Sequence, residues 1–179
     1  MALKTNKMRK MCQPHIQTLL YDLTLPLLLV SQYEMYIWQQ DPIEYVRLQV
    51  DHSNSWNVKR TNQEMIKALC NIRQTRKMKI SPHLTNYLSL LCEQMNASHG
   101  DDFRPKEALM HAFGLLSTHM AQSVEYQKHA EQVLMQYVMP ELESSSEFLR
   151  ARACWVYGEF GMFPFEQPNH LRQVLNSLY

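Results

Sequence analysis

The chain has 179 residues, with 18 Lys and Arg against 17 Asp and Glu and a formal net charge of +1 at pH 7. Hydrophobic residues make up 45% and charged residues 20%, which excludes a disordered chain and allows one domain with a real core. Near-neutral charge without a basic stripe interleaved with aromatics leaves nucleic-acid binding without electrostatic support.

Only 4 Gly occur, and β-branched residues are sparse beside Leu and Met, so an all-helical chain is expected. Residues 1–12 read as an amphipathic helix. Its Lys4, Lys7, Arg9 and Lys10 read as a solvated cluster, since no apolar region and cleavage site follow them. Pro14 opens a helix with Ile16, Leu19, Leu20 and Leu23 on one face, and Pro26 should kink or end it. The apolar run from Leu25 to Val30 is too short to cross a bilayer, and no membrane insertion is expected.

Tyr33 to Gln39 predicts a short helix, with Tyr33, Tyr36 and Trp38 as a core-packing aromatic cluster. Asp41 is placed to cap the next helix, with Pro42 at its first position and Glu44 at its third, reaching back. Tyr45 and Leu48 follow on one side and Arg47 on another; Asp51 to Ser55 reads as a loop. A helix from Val58 to Lys77 should bury Met65, Ala68, Leu69 and Ile72. Ser81 and Pro82 start another, with Leu84, Tyr87, Leu88, Leu91 and Met95 inside. A helix from near Arg104 should bury Ala108, Met110, Phe113, Leu115 and Leu116, with Gly114 permitting close approach.

Tyr126 to Leu142 reads as one helix with Ala130, Val133, Leu134, Tyr137 and Val138 inside and Pro140 breaking its last turn. Ser144-x-x-Glu147 has the form of a capping box. In the helix that follows, Ala151, Cys154, Trp155 and Gly158 are expected to form the packing face, with Arg150 and Arg152 pointing elsewhere. A last helix from Pro168 or Asn169 carries Leu171, Val174, Leu175 and Leu178.

Self-similarity runs through this layout. Ala68, Ala108 and Ala153 recur at 40 and 45 residues, and Leu88 and Val133 at 45. A two-helix unit of about 40–47 residues belongs to HEAT and armadillo arrays, with an ordinary helical bundle as the alternative. His15-x3-Leu19-Leu20 leading to Pro26 also resembles His129-x3-Val133-Leu134 leading to Pro140. The expected fold is an all-α superhelix of roughly four helix pairs, one solenoid segment over residues 1–179 and a piece of a longer chain.

No enzyme chemistry is expected. His111 and His119 lie about two turns apart without an HExxH pattern. Cys12, Cys70, Cys92 and Cys154 form no CxxC and read as reduced, mostly buried thiols. Glu125, Glu131, Glu141, Glu143 and Glu147 read as solvated helix charges. No Gly-rich phosphate loop or nucleophile elbow occurs, so neither metal nor cofactor is predicted.

Two stretches resemble a known family. Trp38-x-x-Asp41-Pro42-x-Glu44-Tyr45-x-Arg47 resembles a W-x-x-D-P-x-E-Y-[IV]-R signature in the middle of β-karyopherins, the importin-β superfamily. Phe148 to Val156 is similar to the [FY]-[LM]-R-A-R-A-C-W-V string of its importin-7/importin-8 branch. Lys106 to Leu116 resembles the K-x-G-A-L-x-x-x-G-x-L helix start without its inner Gly and with altered spacing at the second, and Val138 to Leu142 fits V-x-P-x-[LF]. The resemblance implies a HEAT-repeat nuclear transport receptor that shuttles between cytoplasm and nucleus and binds cargo, FG-repeat nucleoporins and the GTPase Ran.

It assigns no partner-binding residue here. The matched residues are expected to be structural: Asp41, Pro42 and Glu44 starting a helix, and Trp38, Tyr45 and Trp155 filling grooves between repeats. Arg47, Arg150 and Arg152 are expected to pair with carboxylates of a neighbouring repeat, such as Glu107 or Glu143. The implied mechanism is elastic wrapping by helix pairs that touch only their neighbours. The competing reading is a HEAT-type scaffold outside transport.

Overall fold

The computed structural model describes residues 11–50, 58–72, 81–98, 102–167 and 169–177, and these hold helices and no strand. The expected helix over 1–12 and the loop at Asp51 to Ser55 lie essentially outside them. Helix α1 (Ile16–Thr18) runs on as a π-helix (Leu19–Thr24) and a 3-10 turn (Pro26–Leu28). Then come α2 (Gln32–Gln40), α3 (Pro42–Val50), α4 (Val58–Cys70), α5 (Pro82–Ala97), α6 (Phe103–Gly114) and the short α7 (Ser117–Met120). Helix α8 (Val124–Val133) passes into a π-helix (Leu134–Val138) and a 3-10 helix (Met139–Glu143), followed by α9 (Glu147–Glu159) and α10 (His170–Asn176).

The array is a HEAT-like solenoid. Helices α4, α6 and α9 are the first members of successive pairs, with α5, α8 and α10 as their seconds and α1 as the second of the pair before. Helix α4 packs on the α1 stretch and on α5, α5 on α6, and α6 on α9. Ala108 and Ala153, 45 residues apart, are both buried, as are Leu88 and Val133. Between neighbouring first helices, Phe113 of α6 stacks on Phe160 at the end of α9 with ring centres 5.0 Å apart.

The second self-match has a structural meaning. Both stretches go from α-helix through π-helix into a 3-10 turn carrying a proline, Pro26 or Pro140. Proline lacks an N–H and crowds the carbonyl four residues back, so a widened turn ahead of it relieves the clash. Tyr126 to Leu142 is therefore three helix types in series rather than one helix. At the first break the Thr24 carbonyl accepts from Asn62 Nδ2 of α4 at 2.8 Å, so the irregularity is sealed by a buried amide.

Several expected faces are rotated. Helix α9 buries Leu149, Arg152, Ala153, Val156 and Tyr157, while Cys154 and Gly158 are exposed. An arginine read as peripheral is in the core because a carboxylate waits for it there. Helix α4 ends at Cys70 rather than Lys77, and it buries Asn62, Ile66 and Leu69, leaving Ala68 half-buried. Residues 73–80 lie outside the described part. Helix α10 buries His170 and Val174, with Leu171 and Leu175 exposed.

Caps differ as well. Ser144-x-x-Glu147 is not a capping box: Ser146 stands at the α9 N-terminus without a side-chain cap, and Glu147 is engaged elsewhere. The capping box is Ser31-x-x-Glu34, where Glu34 N donates to Ser31 Oγ and Ser31 N to Glu34 Oε2. Of the cysteines, all free, only Cys70 is buried and Cys154 is exposed.

Gly114 ends α6 beneath Trp155. A Cβ there would lie 2.4 Å from Trp155 Cζ3. Gly114→Ala is expected to destabilise the chain by about 1–3 kcal/mol, since overpacking forces the indole to move. Thermal unfolding checks this, and the penalty should shrink in a Trp155→Leu background.

Candidate interaction surface

Asp41 shapes the first part of the site. Its N–H donates to the Ile37 carbonyl at 2.8 Å and closes α2, while its Oδ1 accepts from Ile43 N at 3.0 Å and Glu44 N at 3.1 Å and opens α3. Because the Asp41 N–H is taken, Glu44 does not reach back; it pairs with Arg47 of its own helix at 2.8 Å. One residue thus joins two helices, and Pro42 sits where its missing N–H costs nothing. The tight corner brings Trp38, near the end of α2, against Tyr45, near the start of α3, with centroids 5.1 Å apart and edge-on.

These rings dock on α9. Phe148 lies 4.9 Å from Trp38 and 5.7 Å from Tyr45, and Phe103 of α6 stacks on Phe148 at 4.9 Å. Trp38 Nε1 donates to Glu147 Oε2 at 2.6 Å, which is why Glu147 is not free to cap its helix. The two motifs that carry the family resemblance, 109 residues apart at that bond, are one cluster in space. Tyr33 and Tyr36 are not part of it: they are 70% and 60% exposed on the outer side of α2.

Beneath the rings lies charge. Arg152 Nε donates to Glu107 Oε1 at 2.6 Å, and both groups are buried. The guanidinium also stands 4.8 Å over the Trp155 ring. Burial pushes the Tyr45 hydroxyl's pKa up, partly opposed by the nearby Arg152 charge. His111 meets Trp155 edge-on at 5.1 Å and Gln63 Nε2 at 3.0 Å. Burial, then the Arg152, Lys59 and Lys67 charges, hold its pKa well below the ordinary value, so this imidazole is neutral.

The arginines thus separate. Arg152 crosses from α9 to α6, whereas Arg150 donates to the Ser144 carbonyl at 2.7 Å and the Ser145 carbonyl at 3.2 Å. Those carbonyls lie just ahead of its own helix.

The α2–α3 hairpin also reaches α4, where Lys59 pairs with Glu34 at 2.8 Å. Burial would raise the Glu34 pKa, but Lys59 and the Ser31 bonds hold it below the usual range. The hairpin therefore touches α4 and α9, which lie two pairs apart, and its Tyr45 hydroxyl lies within electrostatic reach of Glu107 on α6 in the pair between them. Between it and α4 runs a cleft of about 510 Å³, walled by Leu29, Tyr33, Ile37 and Leu48. A second cleft of about 340 Å³ lies between α1 and α5.

Other acids read as solvated are also placed. Glu141 is buried against Lys106. Glu131 accepts from Glu166 N at 2.9 Å and Gln167 N at 3.1 Å, and His170 Nδ1 lies 3.1 Å from it. Burial would raise the Glu131 pKa, but these donors hold it below the ordinary range. Among the described residues no His, Cys, Asp or Glu cluster could hold a metal ion, and no helix is long and apolar enough to cross a membrane.

Removing one partner of a buried ion pair strands the other charge. Arg152→Ala is expected to cost about 3–5 kcal/mol of stability, read as a loss of denaturation midpoint. Pairing Arg152→Met with Glu107→Gln should recover most of it, because no unpaired charge remains.

The sequence is similar to three longer proteins along nearly all of its length. It is 29% identical over 167 residues to importin-8 of Danio rerio, covering 91% of this chain and 15% of that protein. It is 27% identical over 179 residues to the importin beta-like SAD2 homolog of Arabidopsis thaliana, covering 99% of this chain and 17% of that protein. It is 24% identical over 169 residues to the probable importin-7 homolog of Dictyostelium discoideum, covering 93% and 16%. The chain thus spans about a sixth of the length of these relatives. No family model and no solved structure matches it. The chain is therefore similar to one segment of far longer importins.

Proposed function

We propose that the chain serves as one segment of a nuclear transport receptor that moves protein cargo through the nuclear pore under control of Ran. The observation that carries this reading is the meeting of the two family-like motifs in one packed cluster, Trp38 and Tyr45 against Phe148 and Arg152. Residues that resemble a family at two distant places, and touch, support a shared architecture better than either motif alone. The relatives' names supply the transport assignment. Cargo, FG-repeat nucleoporins and Ran are the proposed partners of the whole receptor, which shuttles between cytoplasm and nucleus. Its work is binding, with no catalytic step, no cofactor, and no direct contact to nucleic acid or membrane.

Elastic wrapping needs amendment for this segment. The hairpin ties α4 to α9 across the pair between them, so curvature changes of the receptor concentrate on either side of it. The same stiffness favours the second reading, a HEAT-type scaffold outside transport.

Binding that depends on the nucleotide separates the two. Full-length protein carrying this segment is expected to retain Ran loaded with GTP at least about tenfold better than Ran loaded with GDP at physiological salt. Equal retention of both forms, or of neither, would move the scaffold reading to first place.

A further inference from the structure

One carboxylate ties the base of the α2–α3 hairpin. Glu34 Oε2 accepts from Ser31 N and from Ser31 Oγ, both at 2.9 Å, and so closes the start of α2. Glu34 Oε1 accepts from Gln49 Nε2 of α3 at 3.0 Å and from Lys59 Nζ of α4 at 2.8 Å. Both oxygens are in use, and the Glu34 and Lys59 side chains are only 16% and 12% exposed. The Ser31 hydroxyl therefore bonds to a carboxylate whose other oxygen holds α3 and α4, yet Ser31 itself is exposed.

Ser31 also stands apart among the hydroxyls of the chain. Four of them lie three residues ahead of a carboxylate: Ser31, Thr61, Ser98 and Ser144. Thr61 is inside α4, and Ser98 and Ser144 are half-buried, with the Ser98 hydroxyl donating to the Gln94 carbonyl at 2.7 Å. Ser31 is exposed on extended backbone, at φ −78° and ψ 161°, between the 3-10 turn and α2. Such a serine, with an acid three residues on, has the charge pattern that a kinase with a basic substrate pocket selects.

We propose that Ser31 is a phosphorylation site, and that its phosphate releases the base of the hairpin from α4. An acid-directed serine kinase supplies the γ-phosphoryl group of ATP. The bond from Ser31 Oγ to that phosphorus forms, the bond from the phosphorus to the bridging oxygen of ADP breaks, and the hydroxyl proton goes to the kinase's base. The product has lost the O–H that Glu34 Oε2 accepted and carries a charge of about −1.5 to −2 in its place. Two anions then meet at one clamp. The phosphate is tethered ahead of α2, where the N–H groups of the first turn favour it, and Lys59 and Arg60 line the cleft beside it. Glu34 can turn to water, so the carboxylate leaves, and with it goes the acceptor that Gln49 and Lys59 shared. Helix α2 keeps its start and its aromatic contacts with α9, while its tie to α3 and α4 is cut. The hairpin becomes a strap fastened at one end. This goes beyond the transport reading and does not rest on it.

The test treats the chain with casein kinase II and magnesium ATP and locates the phosphate by mass spectrometry. Ser31 is expected to be modified at least about tenfold faster than Ser98 or Ser144. Amide hydrogen exchange then compares the modified chain with the unmodified one. Exchange in α3 near Gln49 and at the start of α4 is expected to rise at least about tenfold, with α9 unchanged. Raised ionic strength should shrink that rise, because its cause is charge. Ser31→Ala separates the charge from the lost cap: it should fray the first turn of α2 and leave exchange at Gln49 and Lys59 as before, since Glu34 Oε1 keeps its donors. A chain in which Ser31 takes no phosphate would overturn the proposal. So would a modified chain whose α3 and α4 exchange at the unmodified rate. Neither result involves Ran, so failure here and failure of the transport reading are told apart.

Discussion

The buried pair of Arg152 and Glu107 is the constraint on which the surrounding packing depends. A guanidinium taken from water must be matched in charge and in hydrogen bonds, or it unfolds its surroundings. Glu107 of α6 supplies the charge, the Trp155 face covers the cation, and the Tyr45 hydroxyl comes in from the hairpin. Each answer fixes something else. Trp155 over the cation lies where only a glycine fits beneath, so Gly114 follows. Tyr45 beside the cation fixes α3, and Asp41 then fixes α2 relative to α3. An ion pair of this kind contributes more to holding one arrangement than to net stability.

A solenoid in which each unit touches only the next flexes as the sum of small rotations. The α2–α3 hairpin breaks that rule. It leaves the array after α1, returns at α4, and on the way docks aromatic rings on α9, two pairs further along. Aromatic contacts of about 0.5–1.5 kcal/mol each, together with one charge-assisted bond from Trp38 to Glu147, must break for α9 to rotate away from α4. Motion therefore meets a threshold here rather than a soft spring. Where a receptor couples two distant surfaces through curvature, such a node decides which parts bend together.

The all-α class, the helix order, the period of 45 and the cap at Asp41 were legible in the sequence, because they rest on local chemistry and spacing. The buried face of α9 was not. Leu149, Ala153, Val156, Tyr157 and Phe160 are properly spaced for it, but counting Arg152 as peripheral pointed to the other side. Burial of a charge is decided by a partner 45 residues away, and periodicity cannot see that partner. Glu147 was misread for the same reason: its capping role was available locally and lost to a tryptophan from another repeat. Ser31-x-x-Glu34 was visible and belonged to the same pattern class. The exposed Tyr33 and Tyr36 show the converse, aromatic residues near a cluster that the helix turn rotates away from it.

The proline breaks at Pro26 and Pro140 connect the repeat to the grooves. A π-turn shifts the phase of the side chains that follow it by about one residue relative to an α-helix. Each second-layer helix with such a turn therefore presents a different face beyond the break. On α8 the regular part carries Tyr126 and the widened part carries Tyr137, and both reach α5 to staple the groove. On α1 the widened turn carries Tyr21 and Asp22, which line the open groove instead. The same backbone device thus borders one stapled groove and one open groove, and the difference lies in which side chains the two helices present, Tyr126 ahead of the break and Tyr137 within it on one side, Tyr21 and Asp22 on the other.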